Sequence, residues 1–182
     1  MIGKNRFHFG DIASTQDKAR ELAQNNCVEG AVVIAERQSG GRGKPGSSWF
    51  SPDGGVYLSV VLKPYKSPAD TSIFTLLASQ AVINTIKKVS GRKASIKAPN
   101  DVLLEGKKIC GILIERITCS GTPVLIVGIG INLNMNEFSP DLESTATSLS
   151  LECERSFDKK IFMDTLLDEL DHEYSKFLAN RI

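Results

Sequence analysis

Glu36-Arg37-Gln38-Ser39-Gly40-Gly41-Arg42-Gly43-Lys44-Pro45-Gly46-Ser47-Ser48-Trp49-Phe50-Ser51-Pro52 is the stretch on which the reading of this chain turns. Gly40, Gly41, Gly43 and Gly46 alternate with the cations Arg42 and Lys44 and close on the only tryptophan, Trp49. Glycine lets a backbone approach a ligand closely and present N–H donors to an anion. Arginine and lysine add charge-assisted contacts to phosphate or carboxylate. The segment lies between two β-rich apolar runs, too polar for a core. It reads as a flap over an anionic ligand, with an ordinary mobile surface loop as the plain alternative.

Three look-alikes fail on context. Gly41-x-Gly43-x-x-Gly46 matches a dinucleotide fingerprint formally, but that fingerprint needs a helix to begin at the loop. Pro45, Trp49, Pro52 and Gly54-Gly55 oppose a helix here. A P-loop needs Ser or Thr after the lysine, and Lys44 is followed by Pro45. The kinase pattern is closer, since the loop joins two strands and Val60-Val61-Leu62-Lys63 echoes a lysine strand. No HRD or DFG tripeptide occurs, and 182 residues cannot hold two kinase lobes.

Working outward, Ser14-Thr15 opens a helix over about 15–25, with Ala19, Leu22 and Ala23 on one face. Lys18 stands three residues after Thr15, so the start is a simple N-cap rather than a capping box. Residues 30–35 form a short buried strand before the loop, and 56–62 form another after the turn signal Pro52-Asp53-Gly54-Gly55. Helical spacing over 71–89 is stopped by Gly91. Strands follow around 94–97, 109–118 and 123–132, turning at Glu105-Gly106 and Ser120-Gly121, and a last helix covers about 158–179. Hairpins rather than crossover helices join most strands. The expected fold is therefore α+β, a mixed, mainly antiparallel sheet flanked by helices.

Composition sets the outer bounds. The chain fits one domain over 1–182, with 41% hydrophobic and 24% charged residues. A net charge of +1 gives no global pull toward nucleic acid or a membrane. No run approaches the roughly 18 apolar residues of a membrane span, and the N-terminus lacks a secretory signal. Cys27, Cys110, Cys119 and Cys153 form no CxxC pair and read as reduced structural thiols of a cytoplasmic protein. His8 and His172 lie at opposite ends, which disfavours a histidine-based triad.

Two further clusters carry chemistry. Ile96-Lys97-Ala98-Pro99-Asn100-Asp101 puts a lysine before a turn bearing an amide and a carboxylate. Lysine stabilises charge developing on oxygen, and Asn and Asp supply oxygens to a nucleotide-bound Mg²⁺. Taken alone, the segment also reads as an ordinary Pro-Asn-Asp turn. Lys107-Lys108 then feeds a strand in which Gly111 would let a flat ligand lie on the backbone. Val127-Gly128-Ile129-Gly130-Ile131-Asn132 places two glycines inside an apolar strand. Something must approach that strand closely, either a ligand or a tightly packed helix.

Taken in order, Ser14-Thr15-Gln16, Gln38 to Trp49, Lys97 to Asp101, Lys108 to Glu115 and Gly128 to Asn132 resemble the biotin protein ligases. Ala146-Thr147-Ser148-Leu149 and the closing helix are similar to the end of that family's catalytic domain. The resemblance implies an ATP-dependent ligase that activates biotin as biotinyl-5′-AMP and transfers it to a lysine of a carboxylase biotin carrier domain. It implies that Ser14, Thr15 and Gln38 hold the biotin ureido group and nearby polar atoms, with Gln16 at the binding position where the family has a smaller amide. Arg42, Lys44 and the Gly41–Gly46 backbone, with Gly43 among them, would close over the biotin carboxylate and the ATP α-phosphate. Lys97 would contact the reacting oxygens, which makes Arg42 and Lys97 the catalytic pair. Trp49 would stack near the adenine or cover the site, and Gly111 would pass close to the ligand. Asn100, Asp101, Lys108 and Asn132 would serve nucleotide and Mg²⁺, with no dedicated protein metal site. Three positions depart from the family pattern: Gln16 for an Asn, Lys44 for an Arg and Ala98 for a Trp.

The resemblance also implies a lone catalytic domain, lacking both an N-terminal DNA-binding domain and the family's small C-terminal β-barrel. No nucleic acid or membrane partner is expected, and a homodimer stays open. The rival readings are a lipoate ligase or octanoyl transferase of the same superfamily and a non-catalytic biotin-binding protein.

Overall fold

The computed structural model describes residues 1–64 and 70–179. The elements run β1 (Arg6–Ile12), α1 (Thr15–Gln24), β2 (Val32–Gln38), β3 (Val56–Leu62), α2 (Ser72–Ser90) and β4 (Ser95–Lys97). They continue β5 (Asp101–Leu104), β6 (Lys107–Cys119), β7 (Thr122–Ile131), α3 (Leu149–Cys153) and α4 (Lys159–Ala179). One seven-stranded sheet has the order β1-β2-β3-β7-β6-β5-β4. Only β1 and β2 pair in parallel; every other neighbour is antiparallel. The α+β expectation therefore stands.

Period-two alternation sorts the sheet into two faces. Leu58 and Val60 of β3, with Leu125, Val127 and Ile129 of β7, point to a core covered by α2 and α4. Phe74, Val82 and Ile86 of α2 and Phe162, Leu166 and Leu170 of α4 complete it. The opposite face carries Val61 and Ile126 against Ala19 and Ala23 of α1. The small side chains of that helix let it lie close to the strands. Beyond the α1 contact, the same face is left to Ser59, Gly111, Leu113, Gly128 and Gly130, and that is where the site forms.

Four local features differ from the sequence expectation. Strand β1 was not anticipated, because its edge position leaves it with no buried face to write an apolar alternation. Strand β5 hides in a segment that reads as turn, although Val102 and Leu104 are fully buried. Helix α3 is a single capped turn over Leu149–Cys153. The cap of α1 is Ser14, whose hydroxyl accepts from the backbone N of Gln16 at 3.2 Å and of Asp17 at 3.5 Å. Strand β3 keeps its expected bounds, and α2 stops at Gly91 with φ +77°. Among the described residues, no helix is long and apolar enough to cross a membrane.

The α2–α4 packing carries one buried charge. Glu169 is 5% exposed and accepts from Lys88 Nζ and, at 3.0 Å, from Asn84 Nδ2. Burial pushes its carboxyl up, but the hydrogen bonds from Lys88 and Asn84 together hold it below its ordinary 4.5. A depressed carboxylate stabilises the fold above its unfolded pKa, and this is lost as pH falls through the folded value. Glu169→Gln is expected to cost on the order of 1 kcal/mol at pH 7. The deficit should shrink as pH drops below about 4.5. Urea unfolding of both proteins from pH 7 to pH 3 checks this, and a pH-independent gap would refute it.

Candidate active site

The glycine loop is a small hairpin rather than a free strap. Arg42 and Ser48 form an antiparallel bridge, Gly43 N donates to Ser47 O at 3.0 Å, and Trp49 N donates to Gly41 O at 2.9 Å. At its tip Ser47 N donates to Lys44 O at 2.8 Å, and Gly46 takes φ +83°. Pro45 followed by a positive-φ glycine is the pattern of a type II turn, which explains why proline follows Lys44.

The hairpin lays Trp49 across the sheet. Gly111 of β6 and Gly130 of β7 are paired neighbours. An added Cβ on Gly111 would meet Trp49 Cζ3 at 2.8 Å, and one on Gly130 would meet Trp49 Nε1 at 2.3 Å. Gly128, one step along β7, leaves the same room for Gln16 Oε1, at 2.6 Å from its would-be Cβ. The close approach inferred from these glycines is thus real, but the flat group on Gly111 is the protein's own indole. Lys108 Nζ stands 5.2 Å from the Trp49 ring centroid and 2.7 Å from Asp101 Oδ1.

Trp49, Ser48 and Lys108 divide two neighbouring cavities. The inner chamber, of about 240 Å³, is lined by Ser14, Thr15, Gln16, Gln38, Arg42, Gly43, Lys44, Asn100 and Gly111, together with Ser59. The outer cavity, of about 410 Å³, holds Lys97, Asp101, Asn132 and Phe50. Gly41 lines neither; it packs against Trp49 O, Ser51 Oγ and Gln38 Nε2. Lys97 and Lys108 are placed differently in this layout. Lys97 sits exposed on the edge strand β4 and borders only the outer cavity, whereas Lys108 borders both.

The inner floor is built by the N-terminus of α1 and the end of β2. Gln38 Oε1 accepts from Thr15 N at 2.7 Å, and Gln38 Nε2 donates to Ser51 Oγ at 2.9 Å. Gln16 turns its amide into the protein, donating to Leu113 O and Ile126 O at 3.3 and 3.2 Å. At the mouth, one nitrogen of Arg42, Nη2, pairs with Asp17 at 2.8 Å and Glu115 at 3.0 Å. Arg20 shares Glu115 at 2.9 Å. Buried atoms here without a hydrogen-bond partner among the described residues include Arg20 Nε, Arg42 Nε, Trp49 Nε1 and Asn100 Oδ1. A buried donor or acceptor left unmade is costly, so a ligand that completes them is favoured. In the outer cavity Asn132 donates its amide to Thr147 O at 3.0 Å, bracing the wall. Among the described residues, no cluster of three or more His, Cys, Asp or Glu could hold a metal by itself.

Sequence reasoning passed over Ser59, Asp17 and Ser48. Ser59 had a usable signal: it is the one polar residue in an otherwise apolar strand, Val56–Leu62. Asp17 and Ser48 carry no such mark, because only the folded chain brings them to the chamber mouth.

The model of the Biotin/lipoate A/B protein ligase family matches residues 10–134, and the chain belongs to that family. Within it, the similarity is to biotin protein ligases. The chain is 36% identical over 184 residues to the bifunctional ligase/repressor BirA of Bacillus subtilis, covering 99% of this chain and 57% of that protein. It is 33% identical over 159 residues to the biotin–[acetyl-CoA-carboxylase] ligase of Paracoccus denitrificans, covering 84% of this chain and 66% of the relative. The fold superposes on the Aquifex aeolicus biotin protein ligase in complex with biotin and ATP with a TM-score of 0.86. That match has 31% identity and covers 97% of this chain and 72% of the other. The chain thus spans little more than half the length of the Bacillus relative.

Proposed function

We propose that this chain joins biotin to AMP and passes the biotinyl group to a lysine of a carboxylase carrier domain. The observation that carries the reading is the pair of cavities meeting at Trp49 and Lys108. The inner chamber suits a small ring with polar edges, and the outer cavity suits a nucleotide. The two reacting groups, a carboxylate and an α-phosphate, would then meet at the shared wall.

In the first step a carboxylate oxygen of biotin attacks the α-phosphorus of ATP, and the bond to the bridging oxygen breaks to release pyrophosphate. In the second, the carrier lysine's amine attacks the acyl carbon, AMP leaves with the bonding pair, and the amine loses a proton. Both steps place negative charge on oxygens near Arg42 and Lys108, and fixed cations there lower the barrier. Lys108 takes the role that the sequence assigned to Lys97, because it borders both cavities. Lys44 at the hairpin tip contributes a point charge rather than a two-pronged clamp. Asn100 Oδ1, buried without a partner among the described residues, and the Asp101 carboxylate are oxygens that fit a Mg²⁺ arriving with the nucleotide. That ion would neutralise phosphate charge.

The test is pyrophosphate release in the presence of Mg·ATP with biotin or lipoate, followed by mass measurement of an added carrier domain. Biotin-dependent release and a biotinyl mass increment are expected, with lipoate inert. Lys108→Ala is expected to lose about 10²–10³-fold in rate, and Lys97→Ala far less. A larger loss in Lys97→Ala would return the role to Lys97, and equal losses would divide it between the two lysines. Release with lipoate alone would overturn the biotin reading.

A further inference from the structure

Ser59 is fully buried at the floor of the inner chamber, and its contacts fix a direction. Its Oγ lies 2.9 Å from Thr15 Oγ1 and 2.9 Å from Gln16 Oε1. One hydroxyl has one proton to give. The Gln16 amide is oriented by its other end, where Nε2 faces the backbone carbonyls of Leu113 and Ile126. Carbonyls only accept, so nitrogen must be on that side and oxygen on the side of Ser59. Oε1 has no other donor among the described residues.

The proton of Ser59 therefore goes to Gln16. Its contact with Thr15 then needs Thr15 as the donor. The reverse arrangement would leave a buried amide oxygen unmatched, which disfavours it on the order of tenfold or more. With its proton committed inward, the Thr15 hydroxyl has only lone pairs left for the chamber. Ser14 is in the opposite position: it accepts from Gln16 N and Asp17 N and keeps its proton free to donate.

We propose that Gln16 and Ser59 are positioning residues that set the polarity of Thr15, so that the chamber selects a ring N–H and rejects a ring oxygen at that point. The inference rests on the biotin reading and deepens it. The substituted amide at position 16 thereby acquires a role through Ser59 rather than through contact with the ligand. An acceptor at Thr15 beside a donor at Ser14 matches the N–H and C=O of a cyclic urea.

The experiment measures binding of biotin and of two cyclic carbamate analogues, each with one of the ring N–H groups replaced by oxygen, to the full chain. In the unaltered protein one carbamate is expected to bind about 100-fold more weakly than biotin, because two lone pairs would face each other. Ser59→Ala frees the Thr15 proton to turn outward, and the ratio is expected to fall to about tenfold or less. A merely structural Ser59 would weaken both ligands by the same factor, and an unchanged ratio overturns the proposal. If Ser59→Ala does not fold, Thr15→Val removes the acceptor and is expected to bring the ratio toward one. A ratio unmoved in that variant overturns the proposal equally. Biotin failing to bind the unaltered protein would bring down the functional reading and this inference together. Biotin binding with an indifferent ratio would bring down this inference alone.

Discussion

Replacing Arg42 by alanine is expected to lower biotin- and ATP-dependent pyrophosphate release by about 10²–10³-fold while the protein stays folded. The guanidinium divides its work between two sides. Its Nη2 is held by Asp17 and Glu115, while Nε is buried and has no partner among the described residues. The carboxylates fix the position, and the remaining donors are left for an anion in the chamber. Arg42→Lys keeps a charge but cannot hold both carboxylates and the ligand, so about a tenfold loss is expected. Because Arg20 still neutralises Glu115, folding should tolerate the alanine variant. Pyrophosphate assays beside circular dichroism separate the cases, and full activity in Arg42→Ala would remove the proposed chemistry.

Adding one methyl group at Gly130 is expected to be almost as damaging. A Cβ there would meet Trp49 Nε1 at 2.3 Å and Cε2 at 2.6 Å, inside any tolerable contact. The indole would have to lift from the sheet, merging the two cavities and breaking its alignment with Lys108. Gly130→Ala should therefore lower kcat/KM for ATP by about 10²-fold, corresponding to roughly 2–3 kcal/mol of lost transition-state stabilisation. Gly10→Ala is the matched control, since nothing lies within 4 Å of its added Cβ. It should leave both activity and stability within about 0.5 kcal/mol. Steady-state kinetics of the two variants decide, and equal behaviour would show that Trp49 need not lie flat.

Much of this was legible in the chain, and the failures have physical reasons. The glycine-cation hairpin announced itself because no helix can start there and no core can absorb it. Strand β3 was legible because six of its seven consecutive buried positions carry apolar residues. Strand β1 was not, because an edge strand with mostly exposed positions imposes little pattern on its sequence. Where Lys97 and Lys108 fall relative to the two cavities was also beyond the sequence. Both flank turns with similar neighbours, and only the pairing of β4 with β5 and β5 with β6 puts one at the rim and the other between the cavities. Gly111 and Gly130 were recognised as sites of close approach, but the approaching group was Trp49, more than sixty positions earlier in sequence, and nothing local could say so.

That single indole gives the molecule a built-in optical gauge. With no second tryptophan to contribute background, emission excited beyond the absorption of the tyrosines originates at the wall between the two compartments. Filling either compartment changes the polarity and the quenchers around the same chromophore, so the order in which the proposed vitamin and nucleotide substrates arrive can be followed in stopped-flow without attaching any dye.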